Sequence, residues 1–243
     1  MDSPRVVSWF SCGAASAFAT YLAASKYKNN FFEAVYCRVN EEHKDNLRFL
    51  NDFSSTFSIS VKIIGDTKHN FSIYKVFESR KFIKGPVGAP CTMILKKNVR
   101  QKYQRPTDIQ IFGYTSEEEN RANRFLDSNN EVNVDFILLE NNYTKKDCLD
   151  FVKDMGIEIP AMYKLGYSNN NCVGCVKGGM GYWNKIRVDF PEAFNKMALL
   201  ERKLKHAINK DKNGAVYLDD LDSNRGNFQK DKPADCGFTC EWK

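Results

Sequence analysis

Histidine is scarce: the 243 residues hold three, His43, His69 and His206, and none stands in a catalytic motif, which argues against imidazole acid–base catalysis. Long apolar runs are missing as well. The first apolar stretch, residues 6–10, is broken at once by Ser11, Cys12 and Gly13, so neither a signal segment nor a membrane span is expected, and a cytoplasmic protein is. There is no internal repeat. No Gly-x-x-x-x-Gly-Lys-Ser/Thr run occurs, and the first strand-to-helix turn lacks Gly-x-Gly-x-x-Gly, which excludes a Walker loop and an ordinary dinucleotide fingerprint. Acidic residues, 30 against 36 basic ones, leave a formal net charge of +6 that suits an anionic partner such as a nucleotide, tRNA or DNA.

What is present supports a folded enzyme-sized core. Hydrophobic residues make up 42% and aromatics 13%, enough to bury one α/β domain with an appended segment rather than two equal domains. The reading places a nucleotide-binding core at 1–165 and a cysteine-bearing loop, helix and tail, packed on that core, at 166–243. Eight cysteines in a reducing compartment read as core residues, metal ligands or redox groups rather than a disulfide framework.

Strands are expected at 5–10, 32–39, 59–64, 108–114 and 134–140. Helices are expected at 14–25, through His43 to Leu50, at 72–82, at 92–103, after a Thr144/Asp147 capping box, and from Pro191 to about Ile208. Strands separated by helical patterns argue for βαβ units and a mostly parallel sheet. The tail from Asp211 has weak periodicity.

The most telling stretch is Ser11-Cys12-Gly13-Ala14-Ala15-Ser16, which joins an apolar strand to an alanine-rich helix. Gly13 lets backbone amides approach an anion, Ser11 and Ser16 add hydroxyls, and the helix N-terminus favours negative charge. It reads as a phosphate cradle formed by Ser11, Gly13, Ala14 and Ser16, although such turns also occur in α/β proteins that bind nothing there. A second constellation is Cys172-x-x-Cys175 with Cys91 delivered by a separate, breaker-rich loop. Two intervening residues let the backbone wrap one metal, so the three thiols are candidate ligands of zinc or of an iron–sulfur cluster. Cys37 and Cys148 read as core, Cys12 as merely small, and Cys236 and Cys240 either way. A third feature, 113–124, starts at the carboxyl end of the fourth strand, on the same rim as the cradle. Gly113 and Arg121, with Arg124, are candidate phosphate contacts there; a surface pair of Glu117 and Arg121 at helical spacing is the alternative.

Taken in order, these residues resemble the adenine nucleotide α-hydrolase, or PP-loop, superfamily, in the branch named for phosphoadenosine phosphosulfate reductases. The likeness runs from Ser8 to about Phe194. It is carried by the 11–16 loop, Pro90-Cys91-Thr92 with Leu95-Lys96, Gly113-Tyr114-Thr115 with Glu119 and Arg121, and Asn171-Cys172-Val173-Gly174-Cys175-Val176-Lys177. The resemblance implies a Rossmann-like, doubly wound, mostly parallel sheet with a C-terminal helical or irregular segment. It implies a loop that holds the phosphates of ATP, with magnesium, or of an adenylylated sulfate. Cys12 and Ala15 depart from the family loop Ser-Gly-Gly-x-Asp-Ser, and the reductases' Glu-Cys-Gly-Leu/Ile-His tail is here Ala234-Asp235-Cys236-Gly237-Phe238-Thr239-Cys240.

The cysteine order also resembles the superfamily's iron–sulfur sulfurtransferases, which thiolate tRNA or contribute to DNA phosphorothioation. In those, three cysteines leave one iron of a four-iron four-sulfur cluster free to take a sulfide. The implied activity is ATP-dependent sulfur transfer to a nucleic acid or similar anionic acceptor. Cys91, Cys172 and Cys175 would hold the cluster, Lys96 or Lys97 and Arg121 would neutralise phosphates, and a sulfur or electron donor protein would be a partner. The alternatives are a reductase of phosphoadenosine or adenosine phosphosulfate with Cys236 as nucleophile, and an inactive nucleotide fold whose cysteines bind zinc and whose basic face docks nucleic acid.

Overall fold

Alternation along the first strand decides which side of the sheet each residue serves. β1 (Val6–Trp9) is buried throughout; Val6 and, just beyond it, Phe10 join the helix-covered core, whereas Trp9 on the other face meets the Tyr103 ring edge-on at 6.1 Å. The computed structural model describes residues 4–86, 88–170, 172–233 and 236. They fall into two units: the first takes the chain to Arg38, Lys44–Gly65 and Asn98–Gly166, and the second takes Val39–His43, Asp66–Lys97 and the chain from Tyr167 on.

In the first unit, β1 leads into α1 (Ala14–Lys26), β2 (Phe32–Cys37), α2 (Asp45–Phe57) and β3 (Val61–Ile64). The chain re-enters it after α3 (Ile73–Arg80), α4 (Pro90–Thr92) and a π-helical stretch, Met93–Lys97, all three in the second unit. It continues through α5 (Asn98–Tyr103), β4 (Ile109–Ile111), α6 (Glu119–Ser128), β5 (Asn133–Asp135), α7 (Ile137–Glu140), α8 (Lys145–Asp154) and α9 (Ala161–Lys164). The five strands are all parallel in the order β3-β2-β1-β4-β5. The chain winds outward from β1 to β3 and then returns to the other side of β1, so the sheet is doubly wound and Rossmann-like, with its switch point between β1 and β4. Phe18 of α1 stacks on Phe151 of α8 at 4.3 Å, and Phe49 and Phe53 of α2 complete the same core.

The expected strand at 134–140 is shorter in the structure. β5 stops at Asp135, and Ile137 and Leu138 are buried from a helical turn whose Ile137 carbonyl accepts Asn141 Nδ2 at 2.7 Å. Periodicity cannot separate a short buried strand from a short buried helix. The helix at 92–103 is interrupted by the π-helical stretch rather than regular. The capping box is present: Thr144 Oγ1 accepts Asp147 N at 3.2 Å and the Asp147 carboxylate accepts Thr144 N at 2.8 Å.

In the second unit, α10 (Met180–Asp189) and α11 (Pro191–Leu204) are followed by a hairpin, β6 (Asn209–Asp211) and β7 (Gly214–Val216). α11 ends four residues before Ile208 because Lys205 turns left-handed, φ 51°, and closes the last turn. Among the described residues, no helix is long and apolar enough to cross a membrane.

Candidate functional site

The cradle in the first unit is built around a turn that breaks the usual backbone rule. Cys12, fully buried, follows β1 in the left-handed region, φ 58°, where the family loop it resembles has glycine. Gly13 caps α1, and Ala17 N donates to its carbonyl at 3.0 Å. No side chain caps this helix, so the N–H groups of Ala14, Ala15 and Ser16 have no acceptor within it. The Ser16 hydroxyl is saturated: it accepts Ser11 N at 2.9 Å and Ser11 Oγ at 3.0 Å and donates to the Gly13 carbonyl at 2.9 Å. Ser11 and Ser16 therefore brace the turn, and the helix amides are what it offers an anion.

Gly113, just past β4, belongs to the same construction. A Cβ there would lie 2.7 Å from Ser16 N and 2.8 Å from Ala15 C, so only glycine lets the two loops of the switch point meet. Arg121 is placed differently. It pairs with Glu118, not Glu117, and lies 4.9 Å over the Tyr114 ring, while Glu117 accepts Lys145 N and Arg124 Nε donates to the Asn120 carbonyl at 3.1 Å.

In the second unit, Cys175 lies within electrostatic reach of both Cys91 and Cys172, although 80 residues of chain separate those two. Burial first, and then the negative charge that Cys236 and Cys175 would carry, push the Cys91 thiol up; Lys177 pulls it back. Burial, followed by Glu42, pushes the Cys172 thiol well up, with Lys96 opposing and Cys236 and Cys175 adding to it. The Cys-x-x-Cys turn is clasped by Tyr182, whose hydroxyl accepts Cys175 N at 2.9 Å and donates to the Cys172 carbonyl at 3.4 Å. Glu42 faces Cys172 across an isolated antiparallel bridge, and Val173 N donates to the Glu41 carbonyl at 2.8 Å.

Lys96, from the π-helical stretch, is the buried cation of this site. Its Nζ meets Glu42 Oε1 at 2.9 Å; burial opposes its charge, but Glu42, Cys236 and Cys172 hold the ammonium well above the ordinary lysine range. π-Helical turns recur at functional sites because they re-aim one side chain out of helical register. A second lysine, Lys84, is pulled down by burial and held up by Cys175 and Glu201. Sequence reasoning reached Lys96 but missed Glu42, Lys84 and Tyr182, which no motif joins to the cysteines. Cys37 and Cys148 are buried as core residues, and burial lifts the Cys148 thiol to about 12. Cys240 lies outside the described residues.

Among the described residues, no three His, Cys, Asp or Glu side chains are arranged to hold a metal ion as they stand. No protein-family model matches the chain, and no curated protein matches it.

Proposed function

We propose that this chain is a PP-loop-type enzyme that uses an adenine nucleotide for sulfur transfer to an anionic acceptor, a nucleic acid such as tRNA or DNA being the class its net charge of +6 suits. The observation that carries the reading is the presence of three chemically soft thiols in the second unit, Cys172 among them facing the buried Lys96. Soft thiolate donors suit an iron–sulfur cluster, with zinc as the alternative. Positive metal charge would counter the effect of burial, which pushes the Cys91 and Cys172 thiols up. A reducing, cytoplasmic setting would keep the thiols available.

In this reading, the N-terminal amides of α1 receive the nucleotide phosphates, and Gly113 keeps room for them. Adenylation joins an acceptor oxygen to AMP with release of pyrophosphate; a sulfur nucleophile then displaces AMP, leaving sulfur where the oxygen was. An iron–sulfur cluster held by Cys91, Cys172 and Cys175 would supply soft sulfur chemistry. Lys96, fixed by Glu42, offsets thiolate charge, and Tyr182 sets the spacing of the Cys-x-x-Cys pair.

The test is incubation of anaerobically purified protein with ATP, magnesium, a sulfur source and bulk tRNA or DNA, followed by chromatography. Acceptor-dependent AMP and pyrophosphate with sulfur in the nucleic acid are expected. Gly113→Ala should weaken nucleotide binding by about tenfold or more by driving the two loops apart. Sulfite release from phosphoadenosine phosphosulfate, lost in Cys236→Ser, would instead establish the reductase, and nucleotide binding without turnover would establish the inactive fold.

A further inference from the structure

Two helices of the second unit end side by side, each on a left-handed lysine. α3 closes at Lys81, φ 50°, whose N–H donates to the Glu78 carbonyl at 3.4 Å, and α11 closes at Lys205, φ 51°, whose N–H donates to the Arg202 carbonyl at 3.2 Å. Glycine is the residue this conformation favours, so the chain accepts backbone strain to put a long cation at both ends. Contacts on either side of the lysines join the two ends. Lys203 Nζ meets Glu78 Oε1 at 2.7 Å, the Phe82 and His206 rings meet edge-on at 4.8 Å, and His206 Nε2 lies 2.8 Å from the Lys84 carbonyl.

Glu78 offsets Lys203, but Arg80, Lys81 and Lys205 are exposed and, among the described residues, have no carboxylate partner. The charge is local: residues 66–97 carry seven lysines and arginines against two acidic residues, Asp66 and Glu78. The carbonyl ends of the two helices offset roughly one unit of charge between them, which leaves the patch positive. Phe82 and His206, both half-buried, set an aromatic pair among these cations. Lys84, two residues past Phe82, is within electrostatic reach of Cys175, so this end of the second unit lies beside one of the thiols.

Resting on the sulfur-transfer reading, we infer that the joined ends of α3 and α11 are where the acceptor docks and that the acceptor is single-stranded nucleic acid, with Arg80, Lys81 and Lys205 holding backbone phosphates and the Phe82–His206 pair taking a base. Cations alone would suit any polyanion. The aromatic pair adds a place for an unstacked base, which a loop or single strand offers and a duplex keeps within its own stack. An anionic membrane would call for apolar side chains projecting among the cations, whereas the exposed residues of the two closing turns are polar or charged.

The test titrates the full chain with labelled single-stranded RNA, single-stranded DNA of the same sequence, a DNA duplex and phosphatidylserine vesicles over a salt series. Wild type should bind the single strands, and less tightly as salt rises. Lys81→Gly combined with Lys205→Gly removes two charges while relieving both turns, so this variant should melt no lower than wild type, bind single strands about tenfold more weakly and show a log–log salt slope shallower by about 1.4. Phe82→Leu should weaken single-strand binding about fivefold or more and leave the salt slope unchanged. Preference for either RNA or DNA upholds the inference and names the acceptor. Unchanged single-strand binding in either variant, or duplex or vesicles bound by wild type as tightly as the single strands, overturns it; sulfur still placed in bulk nucleic acid would leave the sulfur-transfer reading standing. Single strands held through these lysines, with no AMP, pyrophosphate or transferred sulfur, sink that reading and uphold the surface. A chain that binds no nucleic acid at low salt sinks both.

Discussion

Glu201 is fully buried near the end of α11, and its carboxylate accepts Ile208 N at 2.5 Å and Leu218 N at 2.7 Å, tying the helix to both flanks of the hairpin. Burial lifts its pKa to about 7; the two backbone donors act against that lift, Asp219 adds to it and Arg202 opposes it. Because the folded value lies above the ordinary 4.5, the folded chain holds this proton more tightly than the unfolded chain does. Its contribution to stability is therefore fully present below about pH 4.5 and fades as pH rises through about 7. Glu201→Gln cannot ionise, so its denaturation midpoint, measured across that window, should lose this part of the pH slope. An unchanged slope would assign the effect to another group.

At the level of elements, the parallel strands and long helices were legible because hydrophobic spacing alone separates period two from period 3.6. The turn after β5 was not, since Phe136, Ile137, Leu138 and Leu139 form an unbroken apolar run. Asn213-Gly214 is a hairpin signal, but its polar flanks Lys210, Asp211 and Lys212 mask the strands around it. At the site, cysteine chemistry and Gly113 could be read directly, whereas the Glu42 partner of Lys96 lies 54 residues away and only the fold joins them. Gly179 and Gly181 make room for the 226–231 segment, whose Asp231 carboxylate accepts Gly181 N in the first turn of α10, a relation between distant stretches that no local pattern announces. Asp231→Ala should cost about 1–3 kcal/mol of stability by leaving the N–H groups of Gly181 and Asn227 unpaired. It should also speed alkylation of Cys236, five residues further along the chain. A melt and an alkylation rate identical to wild type would show that Asp231 holds neither.

For the whole molecule, the decisive feature is that each unit is assembled from three separate stretches, so no single cut in the chain yields either one whole. The second unit's early stretches are completed by its late one. Lys203 pairs with Glu78 at 2.7 Å, Lys196 lies 3.9 Å over the Tyr74 ring, the Phe82 ring meets His206 at 4.8 Å, and Val173 N reaches the Glu41 carbonyl at 2.8 Å. The helix-covered core cluster around α1, α2 and α8, by contrast, includes no residue beyond Tyr163 among the described residues. A chain ended after Gly166 should thus keep the parallel sheet while Tyr74 and Phe82 lose the partners that cover them and Cys91 loses the other thiols. The expected result is a cooperative melt with retained far-ultraviolet signal, together with binding of a hydrophobic dye that the full chain does not bind. A fragment that melts cooperatively and binds no dye would mean that residues 66–97 bury their apolar side chains without α11, and a fragment with no cooperative melt would mean that the sheet itself depends on the late stretch.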